Sequence, residues 1–256
     1  MPKRSVPSPS PFDGKMYLQG VYSVPERIPA EDHFPYNLPF VRGLDLDLDR
    51  PVTFFVGENG TGKSTLLEAI AELCGFSLGG GGRDDVIDMK AAEPPSQLSH
   101  ALRPRFRHRP RDGFFFRAET LVNFATTLEG RTGPRFARYG GESLHHRSHG
   151  EAFLEVFKHR VEDGLYLIDE PEAALSPQRQ LALLYLLRER VERGRAQFIV
   201  ATHSPILLTF PGSAIVGFDD GTLQCVALEE TMHYQITRRM LECPERYWKR
   251  SEEEDE

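Results

Sequence analysis

The sequence predicts an α/β fold, a mostly parallel sheet flanked by helices with an antiparallel β region near the amino end. Three observations predict it. Continuous apolar runs suited to buried strands recur at 52–56, 165–168 and 198–201. Segments with helical apolar spacing lie between them, at 65–74, at 151–161 and from Pro177 to Gly194. Near the amino end, Leu44-Asp45-Leu46-Asp47-Leu48-Asp49 alternates strictly, as a strand with one wet face does.

Taken in order, residues 1–14 are rich in Pro and Ser and read as a loose tail, and 17–24 is strand-like. A tight turn at Arg50-Pro51 leads into the buried strand 52–56. The helix after it places Leu66, Leu67, Ile70, Ala71 and Cys74 on one face. Four glycines at 79–82 open a polar stretch rich in Pro and Arg, predicted as an irregular insert over about 79–112. Order is expected to resume at 114–116, with a helix near 119–128. Phe153, Val156, Phe157 and Val161 share a helical face. Ser176-Pro177 is an N-cap followed by Pro at the first helical position, and Gly194 closes that helix. Residues 214–228 read as a hairpin around Asp219-Asp220-Gly221, and 231–242 as a last helix. Residues 15–248 are thus expected to form one domain, with 249–256 as an acidic tail.

The 256 residues are 39% hydrophobic and 27% charged, enough apolar material for a full core. Formal net charge is −7, but five acids sit in the last six residues, so the folded body is near neutral. Whole-molecule charge therefore does not select a partner, and only local clusters can. The longest apolar run, 181–187, is far below the roughly 18 residues of a membrane span. Prolines stand where a signal peptide would need an apolar stretch. The three cysteines lack metal-ligand spacing and are odd in number. These features argue against secreted, membrane-inserted and zinc-finger proteins, and the expected compartment is the cytoplasm.

Chemistry concentrates in four places. Gly57-Glu58-Asn59-Gly60-Thr61-Gly62-Lys63-Ser64 fits G-x-x-x-x-G-K-[ST] and is followed by Thr65. Glycines let the backbone curl so that N–H groups converge on phosphate oxygens, and the next helix adds its positive end. Lys63 suits the β- and γ-phosphates, and the Ser64 hydroxyl suits Mg²⁺. Chance would place this pattern in roughly one chain of this length in a hundred. Second, the strand at 165–168 ends in Asp169-Glu170, carboxylates at the edge of an α/β sheet where ligands bind. Asp169 suits the metal, and Glu170 suits orienting or deprotonating an attacking water. Third, Thr202-His203-Ser204-Pro205 follows the next strand, which places His203 beside Glu170 as a donor to a γ-phosphate. Fourth, Ser148-His149-Gly150-Glu151 precedes an amphipathic helix; alone it is a helix cap or a second anion pocket.

In this order the four resemble the ABC class of ATPases. Residues 57–65 correspond to Walker A, 148–151 to the signature, 165–170 to Walker B and His203 to the switch histidine, and Ala174-Leu175-Ser176 resembles the D-loop. More closely, the chain is similar to the small proteins described as AAA family ATPases, related to chromosome-maintenance and recombination-repair heads and to overcoming-lysogenization-defect ATPases. Glu172 after Asp169-Glu170-Pro171, and Ser204-Pro205 after His203, favour that branch over transporter subunits. The resemblance implies a P-loop NTPase that hydrolyses ATP with Mg²⁺. It also implies a homodimer closed around ATP, each site completed by Ser148 and Gly150 of the other copy. Glu119 stands in for the missing Q-loop glutamine as a metal-side residue, Phe34 and Tyr36 are candidates to stack on adenine, and His149 replaces a usual glycine.

What such a switch would control is open to several readings. Arg103, Arg105, Arg107, Arg109 and Arg111, with Phe106 and His108 among them, form a basic strip that could track a nucleic acid or dock on an acidic protein. The relatives implied by the resemblance work in DNA repair or phage defence, with nucleic acid or with a nuclease or toxin partner. The alternatives are the nucleotide-binding subunit of a membrane transporter, or a P-loop phosphotransferase.

Overall fold

The computed structural model describes residues 16–31, 33–82, 95–118, 149–194, 196–219 and 221–248. In chain order the strands and helices begin with β1 (Leu18–Ser23), β2 (Asp45–Asp47), β3 (Val52–Val56), α1 (Lys63–Cys74), α2 (Gln97–Ala101), β4 (Leu102–Phe106) and β5 (Gly113–Arg117). They continue with α3 (His149–Arg160), β6 (Gly164–Asp169), α4 (Pro177–Arg193), β7 (Ala196–Ala201), β8 (Ala214–Gly217), β9 (Gln224–Cys225), α5 (Met232–Glu242) and α6 (Glu245–Trp248).

Six strands form the main sheet in the order β5-β6-β7-β3-β8-β9, all parallel except β9, which pairs antiparallel with β8. The hairpin expected at 214–228 is that last pair. A second, antiparallel sheet in the order β2-β1-β4 lies at the amino end, as the alternating 44–49 run predicts. Strand periodicity explains the two cores. Phe114 and Phe116 face one side of the main sheet, where they pack with Phe153 and Phe157 of α3 and Leu183 and Leu187 of α4. Phe115 faces the other, with Leu66 and Ile70 of α1 and with Leu18 and Val21 of the small sheet. Both faces of the main sheet are covered, which is why its central strands read as unbroken apolar runs.

A buried polar side chain joins the two sheets. Gln197 of β7 accepts hydrogen bonds from the N–H groups of Tyr17 and Leu18, both at 2.9 Å, and donates to Leu18 O at 2.7 Å. It therefore satisfies both ends of the strand edge that the core would otherwise strand without water.

The insert expected over 79–112 is regular for much of its length. Residues 97–106 form α2 and β4, and 83–94 lie outside the described residues. Pro104 is tolerated because β4 is an edge strand, pairing among the described residues only with β1, so a missing N–H costs no inner ladder bond. The helix expected near 119–128 also lies outside the described residues.

Candidate functional site

The parallel strands β3, β6 and β7 end side by side, and the chain leaves each through a segment that carries polar chemistry. After β3 comes the glycine loop. Gly57, Gly60 and Gly62 take positive φ values of 156°, 81° and 95°, so the last two need a residue without Cβ. Gly62 is also pressed against Leu38 and Phe40, where an added Cβ would lie 2.8 Å from a ring carbon. Among the described residues, no acceptor takes the N–H groups of Asn59, Gly60, Gly62, Lys63 or Ser64. Five donors in the loop and the first residues of α1 fit a phosphate. Thr61 turns back on the loop, its hydroxyl donating to Glu58 O at 2.9 Å, and Thr65 follows Ser64 in the first turn of α1.

Lys63 is buried and donates to Gly57 O at 2.7 Å and Glu58 O at 2.8 Å, so its ammonium is held inside the loop. Burial pushes its pKa down, opposed by the charges of Glu170, Asp219, Asp169 and Glu58. The Ser64 hydroxyl lies 3.0 Å from Asp169 Oδ1, which joins α1 to the end of β6 across 105 residues. Burial raises the Asp169 carboxyl to about 6, against the Ser64 hydrogen bond and the nearby Arg117. A hydroxyl and a buried carboxylate are donors suited to a hard cation such as Mg²⁺. Among the described residues no cluster of three or more His, Cys, Asp and Glu offers a softer metal a site.

Glu170 follows with φ 46° and ψ 54°, left-handed backbone that a non-glycine residue adopts at a cost of about 1–2 kcal/mol. Its N–H is held by Ala201 O at 3.0 Å. His203 Nε2 lies 3.4 Å from Glu170 Oε1, so the two residues predicted to act together are neighbours.

Sequence reasoning missed four contributors. Arg117, at the end of β5, places Nε 3.8 Å from Asp169 Oδ2 and Nη1 3.1 Å from Glu68. It lies beside Asp169, two residues before Glu119, which lies outside the described residues together with Ser148. Glu172 accepts a short hydrogen bond from the His203 backbone N–H. Asp219, in the turn after β8, accepts from the Glu58 N–H at 2.6 Å and pins the start of the glycine loop. His233 of α5 reaches the other side of the His203 ring, 3.0 Å away. Arg117, Asp219 and His233 come from distant parts of the chain and no local pattern marks their role, whereas Glu172 belongs to the Asp169–Glu172 pattern itself.

Tyr36 and part of the basic strip are placed differently from expectation. Tyr36 is buried and donates to Gln97 O at 2.8 Å, so it offers no free face for a base, whereas Phe34 is 63% exposed. The basic strip is not a free run of five cations. Arg105 is paired with Asp45 and, at 2.7 Å, with Asp47, and Arg103 donates to Leu102 O at 2.6 Å. The alternating strand thus supplies the acids that neutralise Arg105, which leaves Arg107, Arg109 and Arg111 exposed. Gly150 lies within the first turn of α3, buried against the loop that follows Glu170. A Cβ there would meet Ala174 O at 2.7 Å.

Asp169 gives a measurable consequence. Its folded-state pKa lies above the unfolded value, so the native chain holds the proton more tightly. That contribution to stability is complete below about pH 4 and is lost as pH rises through about 6. Asp169→Asn keeps size and polarity without the buried charge. In the absence of metal and nucleotide it should raise unfolding free energy by about 1–2 kcal/mol at pH 7 and by much less at pH 4. Denaturant titrations at the two pH values measure this; equal effects at both would assign the shift to something other than Asp169.

A family profile described as "AAA domain" matches residues 36–115, which contain the glycine loop. Another, described as "AAA domain, putative AbiEii toxin, Type IV TA system", matches 151–209, which contain Asp169, Glu170 and His203. No curated protein matches the chain. Among solved structures, cbiO1 of Clostridium perfringens, part of the ABC transporter complex cbiONQ, is 20% identical over 79% of this chain and 88% of its own, with a TM-score of 0.46. The SMC head domain from Thermotoga maritima is 14% identical over 83% of this chain and 99% of its own, also with a TM-score of 0.46. The glycine loop, the parallel sheet behind it and the two profile matches make this chain similar to P-loop proteins with AAA domains.

Proposed function

We propose that the chain binds and hydrolyses ATP, with Mg²⁺, as a switch that closes two copies around the nucleotide. The observation that carries this reading is the meeting of Ser64 with Asp169 beside Glu170 and His203, at the mouth of a loop in which the N–H groups of Asn59, Gly60, Gly62, Lys63 and Ser64 lack acceptors among the described residues. Gly57, Glu58, Asn59, Gly60, Thr61, Gly62 and Thr65 cradle the phosphates, and Lys63 turns from its loop carbonyls to the β- and γ-phosphates. Ser64 and Asp169 hold the metal, with Glu119 assigned to the same side. Mg²⁺, when bound, neutralises charge on the phosphoryl oxygens. Glu170 takes the proton of the attacking water, and His203 donates to the γ-phosphate. Such a site acts through positioning and electrostatics, because little covalent chemistry is left to the protein.

Ser148 and Gly150 of the second copy complete the site in this reading. It is supported by the way Gly150 seats the start of α3 against the loop after Glu170, so that this helix end and Walker B form one body. Ser148→Arg should leave the affinity of one copy for ATP within about threefold, while removing ATP-dependent dimers and turnover, since it fills a pocket outside its own nucleotide site. Calorimetry, sizing columns and phosphate release test the three parts. Full turnover by Ser148→Arg would reduce the segment to a helix cap.

A nucleic-acid or nuclease partner, in repair or phage defence, is supported by the exposed Arg107, Arg109 and Arg111. With three free cations per chain, duplex affinity should fall with log salt at a slope of about −2 to −3 per copy. No binding at low salt with ATP and Mg²⁺ would assign the strip to an acidic protein. Among the described residues no helix is long and apolar enough to cross a membrane.

A further inference from the structure

His233 is the contact that the proposed chemistry does not use. It lies in the first turn of α5, set there by the buried Thr231. The Thr231 hydroxyl donates to Leu228 O at 2.7 Å and accepts from the Tyr234 N–H at 3.4 Å, and its carbonyl accepts from the Gln235 N–H at 3.1 Å. His233 Nε2 lies 3.0 Å from His203 Nδ1, with the ring centroids 5.0 Å apart. No residue of α5 beyond this turn is buried, so the helix meets the nucleotide site through its first residues.

The proton positions follow from what faces each nitrogen. His203 Nε2 makes no hydrogen bond among the described residues, but it lies 3.4 Å from Glu170 Oε1, and the negative charge of an ionised carboxylate there favours the proton on that nitrogen. In a neutral ring Nδ1 is then a bare acceptor, and the group opposite it must donate. His233 Nε2 is that group. The remaining nitrogen, His233 Nδ1, is buried and has no partner among the described residues. Burial, then the adjacent His203 ring, pushes the His233 pKa below its ordinary value, which favours the single-proton form needed here.

We propose that His233 is a positioning residue for ATP hydrolysis, whose Nε2–H fixes His203 as the tautomer that presents Nε2–H to the γ-phosphate. The proposal rests on the ATPase reading above. Glu172 holds the backbone of His203 and His233 holds its ring, so the donor is set by two contacts from different parts of the chain. The same contact ties the state of the γ-phosphate site to α5.

The test uses the full chain with ¹⁵N-labelled histidine and four proteins: wild type, His203→Ala, His233→Phe and His233→Gln. Phe keeps the ring and removes the donor, and Gln returns an N–H donor at similar reach. In wild type without nucleotide, NMR should show His203 protonated on Nε2, and His233→Phe should show a mixture of tautomers. In His233→Phe, kcat should fall about 10–100-fold, the usual cost of losing a group that orients a working residue. KM for ATP should stay within about twofold, since ground-state binding is untouched. His233→Gln should recover most of kcat. Wild-type His203 protonated on Nδ1, wild-type kcat in His233→Phe, or no recovery in His233→Gln despite a normal unfolding temperature would each overturn the proposal. A wild-type chain that does not turn over ATP, or His203→Ala turning over like wild type, would instead overturn the reading on which it rests.

Discussion

Lys63→Ala is expected to weaken ATP binding by about 10²–10³-fold. In the folded chain the ammonium already makes two close contacts, to Gly57 O and Glu58 O, and burial disfavours its charge. A phosphate chain offers the same ammonium full negative charge in place of carbonyl dipoles. Each charge-assisted hydrogen bond so gained is worth about 1.5–3 kcal/mol, and two of them account for the expected loss. The glycine cradle survives the substitution, because Gly57, Gly60 and Gly62 set its path. The Ser64–Asp169 contact does not pass through Lys63. The variant should therefore fold and bind poorly. Calorimetry with ATP and Mg²⁺ measures it, and near-normal affinity would remove the glycine loop from the site.

That loop was the most legible part of the molecule, and the reason is local. Phosphate binding needs a strand, a glycine turn and a helix start in succession, so its marks lie within nine residues. The strand-end positions of Asp169, Glu170 and His203 were legible for a related reason. A parallel sheet brings successive strand ends together, so residues just past two buried runs become neighbours. What was not legible depends on which surfaces meet. Nothing near His233 distinguishes it from any histidine on an exposed helix, and Asp219 sits in a turn whose acids are ordinary turn residues. Both acquire a role only because the chain returns to the glycine loop after β8. Arg117 likewise reads as the last residue of a phenylalanine-rich strand. Its value lies in facing Asp169 across the β5–β6 pair, where the two residues are in register.

The basic strip shows the opposite error, a pattern read too literally. Alternating Arg and Pro excludes a helix, and that much holds. It does not exclude an edge strand, where one face of the ladder needs no partner. Once β4 pairs with β1, Arg105 is brought within reach of Asp45 and Asp47 on β2, and its charge is spent inside the fold. Charge counted along a sequence overstates charge offered to a partner whenever an oppositely charged strand alternates nearby.

Glu170→Gln is expected to slow ATP hydrolysis by about 10²–10⁴-fold, the range for loss of a positioned general base. Binding should survive. Glu170 holds its backbone through Ala201 O, and its left-handed conformation belongs to the turn into Pro171, so an isosteric amide meets the same backbone demands. The Ser64–Asp169 pair and Lys63 are unchanged. The amide cannot take a proton from water, although its oxygen can still face His203 Nε2. Chemistry is thus removed from a site that still closes, and the state before hydrolysis should accumulate. If two copies close around ATP, this variant should elute as a long-lived dimer with ATP and Mg²⁺ and as a monomer without them, while Ser148→Arg in the same background should not. Single-turnover phosphate release and sizing columns read the two effects separately. Slow hydrolysis without a dimer would keep Glu170 as the base and discard the sandwich, whereas hydrolysis at the wild-type rate would place the base elsewhere.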